Sequence, residues 1–276
     1  MPHRPHLTSH AMAFVDLLGL RDRMASVGQD KGAASKLLTE YYGVMRAGLE
    51  CLGKSEKQVL THRCFSDSFV LATEVHHSEW ESAIGHLIMI VAELQVELVQ
   101  QGWFIRGGIA VGDYYETRRV VYGPALVEAH ALEQSHAIYP RIVLSQQAVV
   151  AIGGFLKYYG DPFGSPENTT LLLDIDNEVF VNYLYSPIDM SEGDLDVAVD
   201  VARKHKEIVE AALGKYLIEP HLLTKYQWVA RYHNFFVRKW LPDAKKKLLI
   251  PQGLVQVEPR LLVPRSSDGP ATMHDG

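Results

Sequence analysis

Two aspartates set in apolar surroundings are the residues most able to do chemistry. Asp16 lies inside Ala13-Phe14-Val15-Asp16-Leu17-Leu18-Gly19-Leu20, an apolar run that reads as a strand turning into a helix at Gly19. A carboxylate within such a strand is costly unless something pairs with it. Asp67 is the centre of Ser66-Asp67-Ser68, a tight turn with apolar arms on both sides in Arg63-Cys64-Phe65-Ser66-Asp67-Ser68-Phe69-Val70-Leu71-Ala72. Either stretch alone reads as an ordinary cap or turn. The 51 residues between the two aspartates leave room for a helical crossover. Together they predict two carboxylates meeting at the end of one sheet, where they would hold divalent metal. A third stretch, Arg106-Gly107-Gly108-Ile109-Ala110-Val111-Gly112, carries paired glycines, which imply close approach to another strand or to a ligand.

The elements that must position these residues follow from periodicity and punctuation. A first strand is expected near 10–17, then helix over 21–53, with Gly32 a candidate break. A hairpin over 58–76 precedes a strong helix from Trp80 to Gln100, stopped at Gly102. Trp103 to Gly112 is a strand, 114–121 a polar excursion, and Pro124 opens a helix to His136. Arg141 to Leu144 is a short strand, and Ser145 caps the next helix. Leu171 to Ile175 and Val179 to Leu184 form a hairpin about Asp176-Asn177. Two helices end the pattern, Leu195 to Leu213 and Pro220 to Trp240. Trp228, Tyr232 and Phe236 recur on the second at helical spacing, which predicts packing, and His233 is expected to be structural. The order predicts an α/β (α+β) fold, a mixed sheet with helices whose first half is ferredoxin-like. A catalytic unit over 1–190, a helical extension over 191–258 packed on it and a loose tail over 259–276 are expected.

The chain has 276 residues, 47% of them hydrophobic, and a formal net charge of −6. That charge argues against a nucleic-acid partner. Cys51 and Cys64 lack metal-type spacing and suit a reducing, cytoplasmic setting. No signal region is evident at the N-terminus, and no run reads as long enough in apolar residues to span a membrane.

Three stretches resemble the class III nucleotidyl cyclases in order and spacing over roughly residues 10–150. Phe14-Val15-Asp16-Leu17-Leu18-Gly19 is similar to their first metal strand, and Arg63-Cys64-Phe65-Ser66-Asp67-Ser68 to their metal hairpin. Arg106 to Gly112, then Tyr122-Gly123-Pro124-Ala125 and a helix, is similar to their third block. The nearest resemblance is to the bacterial pyrimidine nucleotide cyclases of the Pycsar antiphage system. It implies a homodimer with composite sites and two Mg²⁺ or Mn²⁺ ions on Asp16 and Asp67. It also implies that the amides of Leu17, Leu18 and Gly19, beside Phe14, cradle a triphosphate. The implied reaction makes a 3′,5′-cyclic monophosphate from UTP or CTP, a second messenger read by a separate effector.

The chain departs from the purine cyclases of this family. Arg63 stands where they carry a base-reading Lys, and Val120 where they carry a second reader, often Asp. Their transition-state Asn and Arg fall at Val127 and Ala131. Arg106, Arg118, Arg119 and His130 are the candidates to neutralise charge on the α-phosphate instead. Arg106 is the first choice, with Glu97 or Glu128 the partner if it is merely structural. Tyr42 is a candidate to narrow a base pocket. A purine or diguanylate-type cyclase and a catalytically dead sensor of the same fold remain the alternatives.

Overall fold

A computed structural model describes residues 5–55, 60–76, 79–251 and 259–262. Strand β1 (Thr8–Leu17) leads into α1 (Leu20–Val27) and α2 (Lys31–Ser55), and β2 (Leu60–Phe65) and β3 (Ser68–Glu74) form the hairpin. Helix α3 (Trp80–Gln100), β4 (Ile105–Glu116), β5 (Val121–Tyr122), α4 (Pro124–Ser135), β6 (Ile142–Leu144) and α5 (Gln146–Phe155) follow. After the short α6 (Glu167–Thr170) come β7 (Leu171–Leu173), β8 (Val179–Val181) and the short α7 (Ser186–Met190). Helices α8 (Leu195–Lys215), α9 (Pro220–Trp240) and α10 (Lys245–Leu248) and strand β9 (Arg260–Leu261) are the last elements among the described residues.

The sheet runs β2-β3-β1-β4-β6-β8-β7-β9, with β5 paired to β4. Its first four strands stand in the ferredoxin-like order and are mutually antiparallel; β6 joins β4 in parallel. The expected mixed α/β architecture is therefore present. The break in the first helical region lies at Gly28, not Gly32: Gly28 has φ 52°, and Asp30 caps α2 by accepting from the amides of Gly32 and Ala33 at 2.8 and 3.1 Å. Ser145 caps α5 as expected, accepting from the Ala148 amide at 3.1 Å. The first residues of the expected tail are part of the sheet, since β9 pairs with β7; residues 263–276 lie outside the described ones.

Strand alternation sorts side chains onto two faces. Ala13, Val15 and Leu17 of β1 join Phe69, Leu71, Ile105 and Ile109 in the main core, which α3 fills with Leu87, Val91, Leu94 and Leu98. Helix α3 is long and apolar enough to span a membrane by length and composition, which corrects the sequence expectation, and it packs against this core. The opposite face is smaller. There Met12, Val70, Ala72, Ala110 and Tyr114 pack under Ala125 and Ala129 of α4.

The paired glycines serve packing. A Cβ on Gly107 would stand 2.4 Å from the Phe14 carbonyl oxygen on β1, and one on Gly108 would stand 2.5 Å from the Ala129 carbonyl oxygen on α4. The space over Gly107 and Gly108 is thus taken up by the backbone of β1 and of α4 rather than left for a ligand.

Helices α8 and α9 share the main core. Trp228, Tyr232 and Phe236 are buried, and the Trp228 indole donates to Asp174 at 2.6 Å. Asp174 also pairs with the wholly buried Arg141, which reaches Asp176 at 2.5 Å, so the turn at Asp176-Asn177 is held to β6 and α9. His233 is structural as expected, bonded to the Leu248 carbonyl at 2.9 Å.

Candidate active site

Asp16 sits next to the last residue of β1, in register with Ser68 of β3 on one side and Arg106 of β4 on the other. The row continues to Phe65 on β2. Two rows back, and so on the same face, Arg63, Val70, Phe14 and Gly108 stand side by side. Residues opposite one another in a ladder share a face, so Asp16, Arg106, Phe14 and Arg63 all belong to the α4 side of the sheet. The half-buried Asp67 lies in the β2–β3 turn, and its carbonyl accepts from the Leu17 amide at 3.0 Å. The two aspartates thus come to one sheet end, as the sequence predicts.

Burial pushes the Asp16 carboxyl up to about 6; the Ser68 hydroxyl, donating at 2.9 Å, and Arg106 lower it, while Asp67 and Glu133 raise it further. Among the described residues no three His, Cys, Asp or Glu side chains gather as a metal cage. Two carboxylates that leave positions for water and phosphate oxygens suit Mg²⁺, which is usually held in that way.

The turn after Asp16 differs from the expected cradle. The Leu17 amide is spent on Asp67, and the Leu18 amide donates to the Phe104 carbonyl at 2.8 Å. Both pairings belong to the fold, so neither amide is left for a phosphate. Gly19 takes the left-handed conformation, φ 83°, with open space around it, and begins α1. Of the three amides named from the sequence, only that of Gly19 is without a bond in the fold among the described residues.

Arg106 is paired, and with neither Glu97 nor Glu128. Its guanidinium lies 2.6 Å from the buried carboxylate of Glu133 on α4. The alignment is poor: Arg106 Nε and Glu133 Oε1 are buried without a hydrogen bond. Glu133 is the site residue that the sequence reading missed. It continues the sheet-facing positions Ala125 and Ala129 at a spacing of four, so a charge on that stripe was the available signal. Val127 and Ala131 occupy the outward side of the same helix; Val127 is 70% exposed. His130 sets its ring edge-on to Phe14, 4.8 Å between centroids. Arg118 and Arg119 are exposed on the loop between β4 and β5, past the end of β4 away from Arg106.

Arg63 donates to Glu116 at 3.5 Å and to the Thr117 carbonyl at 3.4 Å, and the Thr117 amide donates to the Val120 carbonyl at 2.8 Å. Arg63 and Val120 are therefore joined through Thr117. Tyr42 is 65% exposed and makes no hydrogen bond to the hairpin among the described residues; its neighbour Tyr41 does, donating to the Ser66 carbonyl at 2.6 Å. One residue of helix is about 100° of rotation, which puts only one of two adjacent tyrosines on the hairpin side.

No protein-family model matches the chain, and no curated protein matches it. Solved structures do. A class III adenylyl cyclase-like ATP-binding protein from Pseudomonas aeruginosa is 10% identical over 73% of this chain, with a TM-score of 0.47, and the chain spans 41% of its length. The guanylyl cyclase Cya2 is 14% identical over 65% of this chain and 93% of its own, with a TM-score of 0.39. The guanylyl cyclase domain of the RhoGC fusion protein from the aquatic fungus Blastocladiella emersonii, as a double mutant, is 13% identical over 64% of this chain and 96% of its own, with a TM-score of 0.43. At such identities the chemistry rests on this chain's own residues.

Proposed function

We propose that the chain is a metal-dependent nucleotidyl cyclase acting on a pyrimidine nucleoside triphosphate, UTP or CTP. The observation that carries this reading is the meeting of Asp16 and Asp67 at one end of a ferredoxin-like sheet, tied by the bond from the Leu17 amide to the Asp67 carbonyl. The 3′-hydroxyl of the ribose attacks the α-phosphorus, the bond to the β-phosphate bridging oxygen breaks, and the products are the 3′,5′-cyclic monophosphate and pyrophosphate. Asp16 and Asp67 would hold Mg²⁺ or Mn²⁺, whose charge helps the hydroxyl ionise and neutralises the leaving group. Ser68 orients the Asp16 carboxylate. Arg106, beside Asp16 in register, is the guanidinium best placed to meet charge growing on the α-phosphate oxygens. The junction of Arg63 with Thr117 and Val120 supports the pyrimidine reading: it offers a pure donor and an apolar side chain where a purine site needs Lys and Asp.

A homodimer with composite sites belongs to the same reading, and the outward side of α4 carrying Val127 is the surface that would meet the partner copy. A role in antiphage defence, with the cyclic product read by a separate effector, is the biological setting this activity would serve. A second reading, nucleotide binding without turnover, is favoured by one observation: Arg106 already has Glu133 as its partner. Incubation with each of the four NTPs and Mn²⁺, followed by product identification, separates the two. A cyclic pyrimidine monophosphate is expected. Better turnover of ATP or GTP refutes the base preference, and no product from any NTP leaves the binding reading.

A further inference from the structure

Helix α3 delivers its last turn to the start of β4 and Arg106, and its first turn lies about 30 Å away at the other end. Around that first half, α5, α6 and α7 help to close a cavity of about 170 Å³. Ile84, Ile88, Ile152 and Phe155 make much of its wall apolar. Glu81 of α3, Glu167 of α6 and Asp189 of α7 bring three carboxylates to it. Among the described residues no Lys or Arg lines the cavity, and none of the three carboxylates is in an ion pair. Glu81 accepts from the Tyr159 hydroxyl at 2.7 Å. Glu167 is the anomaly. It is 7% exposed, its Oε2 is buried, and its carboxylate accepts no hydrogen bond among the described residues. A charged oxygen withdrawn from water without a donor is costly, and such a group calls for a partner. Water in the cavity would donate to Glu167 but would leave three like charges unneutralised. Among the described residues no three His, Cys, Asp or Glu side chains gather closely enough to hold a metal ion, and a hydrated ion gains nothing from an apolar wall.

We propose that this cavity binds a short alkyl diamine, with one ammonium donating to Glu167, the other to Glu81 or Asp189, and the methylenes lying along Ile84, Ile88, Ile152 and Phe155. An alkylammonium supplies both what Glu167 lacks, a donor and a positive charge. The cavity is smaller than the roughly 300–1,000 Å³ usual for larger ligands, which suits a chain of a few carbons. The site stands apart from Asp16 and Asp67 and does not depend on the cyclase reading. The test uses the full chain at physiological salt with saturating Mg²⁺, titrated calorimetrically with putrescine and with butanediol, its uncharged counterpart. The parent should bind putrescine, with a rise in melting temperature, and should not bind butanediol. Glu167→Gln should weaken putrescine binding by about 10-fold or more, the loss of one charge-assisted hydrogen bond. It should also leave the melting temperature without ligand equal or higher, because it removes a buried charge that has no partner. Glu81→Gln, which keeps an acceptor for Tyr159, should weaken binding in the same direction and serves as the second variant should Glu167→Gln perturb folding. Glu207→Gln, on the exposed side of α8, should bind within about twofold of the parent and controls for general charge. No putrescine binding by the parent, parent-like affinity in both cavity variants, or an equal loss in Glu207→Gln overturns the proposal. Binding that appears only when Mg²⁺ is left out overturns it as well, since the site would then take a cation of any kind.

Discussion

Protonation of the buried histidine pair should destabilise the protein on the acid side of neutrality. Tyr183 donates its hydroxyl to His205 Nε2 at 2.7 Å, His205 Nδ1 stands 3.0 Å from His233 Nδ1, and His233 Nε2 donates to the Leu248 carbonyl at 2.9 Å. A carbonyl only accepts, so His233 carries its proton on Nε2, and His205 must supply the proton between the two rings. Both rings are then neutral, and neither has room for a second proton without breaking the chain. Burial holds His233 down to about 4 and His205 well below its ordinary value, His205 further lowered by His233. Below pH 6.5 the unfolded chain takes up protons that the folded chain refuses, so stability falls as pH drops from 6.5 to 4. For His233 the difference of about 2.5 pH units amounts to about 3 kcal/mol at 1.36 kcal/mol per unit. Asp16 works in the opposite direction between about 6 and its ordinary value, discounted because it is only part-buried, and it is common to both proteins compared. Urea unfolding of the parent and of His233→Gln at pH 7, 6, 5 and 4 reads the effect. The parent should lose about 3 kcal/mol more than the variant across the series. Parallel curves would refute the neutral-chain assignment.

Three further outcomes are expected around the Asp16 end of the sheet. Gly108→Ala should cost about 1–3 kcal/mol in urea unfolding, because its new Cβ meets the Ala129 carbonyl oxygen 2.5 Å away; an unchanged midpoint contradicts the close approach of β4 and α4. Glu133→Ala should cost about 1–3 kcal/mol by leaving Arg106 without its buried partner, and unchanged stability would mean that the misaligned pair contributes nothing. Arg106→Ala should reduce turnover on the order of 10²–10³ with nucleotide affinity changed far less; turnover within a few-fold of the parent moves the donor elsewhere.

Much of this site was readable from residue order. Asp16 and Asp67 are legible because a carboxylate in an apolar strand and one in a tight turn both violate the surrounding pattern. Helix bounds at Trp80, Pro124, Ser145 and Pro220 are legible because Pro, Ser and apolar periodicity act locally. The partner of Arg106 is not, since Glu133 reaches it only when α4 crosses the sheet face, and the choice among Glu97, Glu128 and Glu133 depends on that crossing. The Leu17 and Leu18 amides are spent by tertiary bonds to Asp67 and Phe104, which no local signal announces. Tyr41 and Tyr42 differ by one step of helix phase, and Gly28 and Gly32 by one turn, where periodicity alone does not choose.

The two carboxylates offer the most direct test. Asp16→Asn and Asp67→Asn, each nearly the size of the parent side chain and each without its charge, are to be assayed with UTP and CTP in Mn²⁺ alongside the parent, with circular dichroism as the fold control. Loss of cyclic nucleotide formation in both variants with the fold retained is the predicted result; near-parental turnover by either folded variant would contradict the assignment of that aspartate to the metal.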